Sequence, residues 1–101
     1  MDQVQLQLDD QGKGSFYITE NNEQLALMEV GVNGNTLTAY HTEVSEKAEG
    51  RGFAKALLHA MVDHARTHQL QVVPLCPFVH AQFKRHPDMY ADVWHAPERK
   101  S

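Results

Sequence analysis

The spacing of apolar residues along this chain changes after Gly52, in the turn Gly50-Arg51-Gly52. Before it, apolar and polar residues alternate, as in Val4, Leu6 and Leu8 against Gln5 and Gln7, the period of a half-buried strand. After it, Ala54, Leu57, Leu58, Met61, Val62 and Ala65 recur three and four apart and define one apolar helix face. Strands come first and a helix is then laid across them, which confines the chain to an α/β architecture with a mixed sheet.

Val4 to Leu8 reads as the first strand and Asp9 to Gly14 as a turn. Ser15–Thr19 and Gln24–Val32 are two further strands, separated by a turn over Glu20, Asn21, Asn22 and Glu23. Asn33-Gly34 is the strongest hairpin signal, because both central residues of a type I′ turn need positive φ, and it predicts antiparallel pairing of Thr36–Val44 with Gln24–Val32. The helix is expected from about Gly52 to His68. Gln71–Leu75 suits a buried strand that closes a right-handed β-α-β unit with the strand before the helix. Pro77 starts a second helix striped by Phe78, Val79 and Phe83, and His86-Pro87 stops it. Met89, Tyr90, Val93 and Trp94 are expected to pack back on the core before a polar end that frays. The predicted order is an antiparallel β-meander of four strands followed by helix, strand and helix.

With 101 residues the expectation is a single domain over residues 1–101, ordered over about 3–95, with one modest core whose rim any ligand must share. No run approaches the roughly 18 apolar residues of a membrane span, and the start MDQVQLQLDD lacks the basic and apolar regions of a secretory signal, so a cytoplasmic protein is expected. The single cysteine, Cys76, fits a reducing compartment. A net charge of −4, from 9 basic and 13 acidic groups, argues against nucleic acid as a partner, and no membrane partner is expected. Seven histidines would carry the net charge upward on mild acidification without implying any site.

Glu49-Gly50-Arg51-Gly52-Phe53-Ala54 places two glycines where a strand must turn sharply into a helix. The orphan N–H groups and positive end of that helix make a site for a diphosphate, although small residues at such a turn also serve packing alone. Neither a P-loop nor a full G-x-G-x-x-G is present, so nucleoside triphosphate and dinucleotide chemistry lose support.

His41-Thr42-Glu43-Val44, then five residues, then Gly50-Arg51-Gly52-Phe53-Ala54-Lys55, a helix, and Pro74-Leu75-Cys76-Pro77-Phe78 together resemble the GNAT acetyltransferases, in particular a small single-domain branch of GNAT-like proteins. The likeness is good from about Thr36 to Pro87. It implies that the amides of Gly50, Arg51, Gly52, Phe53, Ala54 and Lys55 wrap the diphosphate of coenzyme A, with Gly52 and Ala54 matching the Q/R-x-x-G-x-G/A signature. Glu49 stands where that signature has Gln or Arg, and a carboxylate beside a diphosphate costs affinity unless it points away or is neutralised by Lys47 or Arg51. The resemblance further implies that Thr36–Val44 and Gln71–Leu75 splay apart at their C-terminal ends and that pantetheine enters between them, pairing with backbone around Val44.

Acetyl transfer to an amine needs a neutral amine, donors for the developing oxyanion and a proton for the leaving thiolate. Many GNAT enzymes carry a basic Glu on the fourth strand, and the comparable place here is Thr38, which cannot act as a base. His41 and Glu43 are the titratable alternatives; period-two spacing puts them on one face and Tyr40, Thr42 and Val44 on the other. Each also reads as an ordinary strand-edge or solvated polar residue. Cys76 precedes Pro77 at a helix start, where a thiolate is favoured, so it either accepts an acetyl group or is simply a small buried apolar residue. Tyr90 is a candidate proton donor that packing explains equally well. His64 and His68, with His59 or Asp63 near, lack a metal-binding pattern, and Lys84, Arg85 and His86 offset a helix dipole or meet an adenosine phosphate.

The expected function is N-acetyl transfer from acetyl-CoA to an unidentified small-molecule or protein amine. The alternative is a coenzyme A-binding module that is non-catalytic or self-acylating at Cys76, and an interaction protein that keeps only the fold is the third reading. So short a chain also raises a homodimer, in which a second subunit helps hold the acceptor.

Overall fold

The computed structural model describes residues 4–95. The polar end expected to fray lies outside them, as does residue 3 of the expected core. Strands β1 (Gln5–Leu8), β2 (Lys13–Glu20), β3 (Glu23–Asn33) and β4 (Thr36–Val44) form an antiparallel meander. Helix α1 (Phe53–Thr67) then crosses the sheet, and β5 (Gln71–Pro74) returns parallel to β4, giving the order β1-β2-β3-β4-β5. Helices α2 (Pro77–Arg85) and α3 (Pro87–Tyr90) follow. The expected stop at His86-Pro87 is a corner, with Pro87 opening α3, and a 3₁₀ turn over Glu46–Ala48 joins β4 to the glycine turn.

The two turns that flank β3 differ in chemistry from the sequence reading. The type I′ signature belongs to Asn21 and Asn22, at φ 53° and 64°, between the paired Glu20 and Glu23. Asn33 instead pairs with Thr36, so the second turn is Gly34-Asn35 and only Gly34 has positive φ. Asparagine tolerates the left-handed region well enough to supply the first turn without glycine. The expected Asp9–Gly14 turn is shorter, because the Asp9 carboxylate accepts N–H bonds from Gln11 and Lys13 and closes it early, leaving Lys13 and Gly14 to β2.

Phe16, Ile18, Met28, Val30, Leu37 and Ala39 point from the sheet toward α1, which answers with Phe53, Leu57, Leu58, Met61, Val62 and Ala65, all buried. This is the period-two face meeting the period-3.6 face. Among the described residues no helix is long and apolar enough to cross a membrane. Among the described residues the opposite face of the sheet carries no helix, and it is called the open face.

The C-terminal segment closes the far edge. Phe83 stacks on Tyr90 at 4.7 Å between ring centres, and Trp94 meets Phe83 edge-on. The Val72 N–H donates to the Val93 carbonyl and the His95 N–H to the Val72 carbonyl, which covers part of the exposed edge of β5. Arg66 holds this segment through Asp92 and the Met89 carbonyl. Met89 itself is exposed, contrary to expectation.

Helix α1 ends in a paired motif: the Leu70 N–H donates to the Ala65 carbonyl and the Gln69 N–H to the Arg66 carbonyl. It places Gln69 at φ 57°, a conformation that favours glycine. Replacing Gln69 by Gly should therefore stabilise the fold by about 1 kcal/mol, read as a higher urea midpoint at unchanged m-value; an unchanged or lower midpoint refutes this account of the helix end.

Candidate functional site

After β4, Ser45 caps the 3₁₀ turn through a bond from the Lys47 N–H, and the chain reaches Gly50 at φ 85° and Gly52 at φ 81°. No atom lies within 4 Å of where a Cβ would sit on either glycine. Backbone conformation, not crowding, requires glycine here, and the space beside both is open. The first intrahelical bond of α1 runs from the Ala56 N–H to the Gly52 carbonyl, and the N-cap Gly52 has no side-chain cap. The N–H groups of Gly52, Phe53, Ala54 and Lys55 thus project from the helix start, where donors and dipole favour an anion. The buried Phe53 ring anchors the row.

The cations of this turn are engaged with the β2–β3 hairpin. Arg51 grips Glu20 with two nitrogens at 2.7 and 3.1 Å and lies over the Phe53 ring, while Lys47 reaches both Glu23 oxygens at 2.9 and 3.0 Å. Arg51 holds the Glu20 carboxyl below the usual carboxylate range. Of the two ways open to Glu49 beside a diphosphate, pointing away or being neutralised by Lys47 or Arg51, the second is weakened, since hairpin carboxylates engage both cations.

The expected splay of the parallel strands is present. Pairing of β4 with β5 ends at the Ala39–Pro74 step. Beyond it the Leu75 N–H turns back to the Val73 carbonyl and the Cys76 N–H takes the Ala39 carbonyl at 2.8 Å, while β4 runs on to Val44. The fork opens at the carboxyl ends of the strands, where open α/β sheets take their ligands.

Opposite Glu29 and Val30 the ladder slips, because His41 pairs with Glu29 and Ala39 with Val30, leaving Tyr40 as a bulge. Tyr40 accordingly joins His41 and Glu43 on the open face instead of sharing a face with Thr42 and Val44. Alternation without a bulge cannot foresee this. The His41 Nε2 lies 2.9 Å from the Glu43 Oε2. Cys76 is buried on the helix side, its Sγ 3.2 Å from the Thr42 Oγ1. The structure therefore brings His41 and Glu43 together and sets Cys76 across the sheet from them. Thr42 was not singled out as a candidate from sequence; its only signal is a hydroxyl residue on the strand facing Cys76.

Other sequence candidates fall away from the fork. Tyr90 is buried in its stack on Phe83. His64 and His68 stack at 4.3 Å, and burial, then the neighbouring His68, hold the His64 pKa below the ordinary value. Among the described residues no group of three His, Cys, Asp or Glu gathers to hold a metal. Lys84 and Arg85 occupy the last turn of α2, with His86 as its C-cap.

The comparisons with known proteins agree with this geometry. Residues 15–93 match the family model of the GCN5-related N-acetyl-transferases. A GCN5-like protein from Staphylococcus aureus, determined by NMR in solution, is 31% identical, with 94% of this chain and 91% of that one covered at a TM-score of 0.67. The ribosomal-protein-alanine N-acetyltransferase of Brucella melitensis biovar Abortus 2308 shares the fold at 17% identity, with 91% of this chain and 68% of that one covered and a TM-score of 0.62. With the glycine turn and the strand fork both formed, the chain belongs to the GCN5-related N-acetyltransferase family.

Proposed function

We propose that the protein transfers an acetyl group from acetyl-CoA to a primary amine at the fork between β4 and β5. One observation carries the reading: a row of N–H groups free of helical partners, Gly52 to Lys55, stands beside a parallel strand pair that diverges after Ala39 and Pro74. The N–H row and the open space at Gly50 and Gly52 fit a diphosphate. The β4 edge from Thr42 to Val44, unpaired on the β5 side, fits the amides of pantetheine. Acetyl-CoA, when bound, supplies the acyl group as a thioester.

The amine reaches the protein as an ammonium ion and must lose a proton before it can act as a nucleophile. Thr38 offers no base. The Glu43 carboxylate only accepts, so His41 donates Nε2–H to it, and the lone pair is left on Nδ1. Glu43 thereby fixes the tautomer, and His41 takes the proton.

A second reading rests on the Thr42–Cys76 contact. Cys76 lines the fork, and its sulphur can accept the acetyl group: a new S–C bond forms, the thioester bond to coenzyme A breaks, and the thiol proton passes to the departing sulphur.

Three outcomes are expected. Coenzyme A shifts the amide signals of Gly50 to Lys55 in NMR, and Gly52→Ala, which places a methyl group in the open space, weakens coenzyme A binding about tenfold by calorimetry, whereas Glu49→Gln leaves it unchanged or tighter. His41→Gln lowers kcat/KM about 100-fold with coenzyme A affinity held, since the glutamine side chain cannot take the ammonium proton; an unchanged kcat/KM excludes His41 as the base. After incubation with acetyl-CoA the wild-type mass gains one acetyl group and that of Cys76→Ser does not, if the second reading holds; equal masses discard it.

A further inference from the structure

Among the described residues only three large apolar side chains are exposed, Tyr40, Leu75 and Met89, and two of them flank the fork. Tyr40 follows Ala39 and Leu75 follows Pro74, so they are the first residues past the last paired step on the two strands. Tyr40 is 46% exposed and Leu75 61%. The Tyr40 ring also has a prepared seat. A Cβ on Gly31 would come within 3.2 Å of the ring's Cε2 and 3.4 Å of its hydroxyl oxygen, and Gly31 is not at positive φ. Nothing in the backbone calls for glycine at this strand position, where it weakens a strand. Its absent side chain lets an aromatic ring lie across β3 on a face that faces water.

Depressions of about 510 and 450 Å³ flank the ring. Asp9 and Glu29 line the smaller, and Lys13 lines both. The Asp9 carboxyl is held below its usual range by N–H bonds from Lys13 and Gln11, and no partner is seen for Glu29 among the described residues. Glu29 sits directly across from His41. With Glu43, three carboxylates thus attract a cation toward His41, while Lys13 repels a second positive charge along the same surface.

We propose that this part of the open face is the acceptor subsite and that it takes a monoamine with an apolar, aromatic body: the body packs on Tyr40 and the ammonium lies toward Glu29 and His41. The inference rests on acetyl transfer at the fork and names the substrate class for it. Polyamines are disfavoured by Lys13, and amino sugars lack the apolar surface.

The test uses the full chain with phenethylamine, spermidine and glucosamine. Phenethylamine should be acetylated with at least about tenfold higher kcat/KM than either other amine, a margin within reach of one buried apolar group. Tyr40→Ala should raise its KM about tenfold with the KM for acetyl-CoA held, Tyr40→Phe should stay near wild type, and Gly31→Ala, which lifts the ring, should give a smaller rise. Independently of turnover, phenethylamine should shift the Tyr40 ring and Gly31 amide signals by NMR, recorded with and without coenzyme A. Absence of those shifts in both states, or equal use of the three amines, overturns the subsite. Unmoved Gly52–Lys55 amides on adding coenzyme A would instead strike at the cofactor reading, and amine shifts at Tyr40 would still decide this one.

Discussion

Pairing between β4 and β5 stops at one step, and the rest of the site depends on why it stops there. Pro74 has no N–H to continue the ladder, the Leu75 N–H is taken by the Val73 carbonyl, and the Cys76 N–H takes the carbonyl of Ala39. On the other strand the bulge at Tyr40 bends β4 at the same level. The two strands part because Leu75 turns its N–H back on its own strand and the Cys76 N–H makes the last bond to β4, not because the region is loose. What remains unpaired is the β5-facing edge of the far length of β4, whose peptide groups need water or a ligand.

The chain's net charge of −4 gives a polyphosphate no long-range attraction. The nearest cations do not change this, since Arg51 and Lys47 are matched by Glu20 and Glu23 of the β2–β3 hairpin. These exposed pairs contribute little to stability but fix the hairpin to the glycine turn. Recognition of an anion at α1 thus falls to oriented N–H groups and the helix dipole, which act over a turn or so. Such a site selects by shape and donor placement more than by charge.

Much of this was legible in the sequence. The switch of period at Gly52 located α1 and its buried face, and the glycine turn and the approximate place of the fork could be read from residue type and resemblance together. What could not be read depended on one extra residue or on distant chain. A bulge at Tyr40 reverses which residues share a face, and no local pattern announces it, because Ala39-Tyr40-His41 is as compatible with regular alternation. Glu20 and Glu23 reach Arg51 and Lys47 only once β2 and β3 are folded against the turn. The type I′ turn went to Asn21-Asn22 because two asparagines in sequence can both hold positive φ, whereas Asn33 was drawn into the ladder by its pairing with Thr36.

The bulge has a consequence for how the two candidate chemistries divide the fork. His41 and Glu43 stand on the open face, while Thr42 and Cys76 meet on the helix side. A thioester lying between the strands would present one side to the imidazole and the other to the thiol. A base must reach the incoming amine, so the role proposed for His41 calls for an acceptor that arrives over the open sheet. Cys76, 2% exposed and in contact with Thr42 of β4, is closed to a bulky acceptor. Without the bulge, regular alternation from Ala39, which faces α1, would turn His41 and Glu43 to the helix side and take the candidate base off the open face.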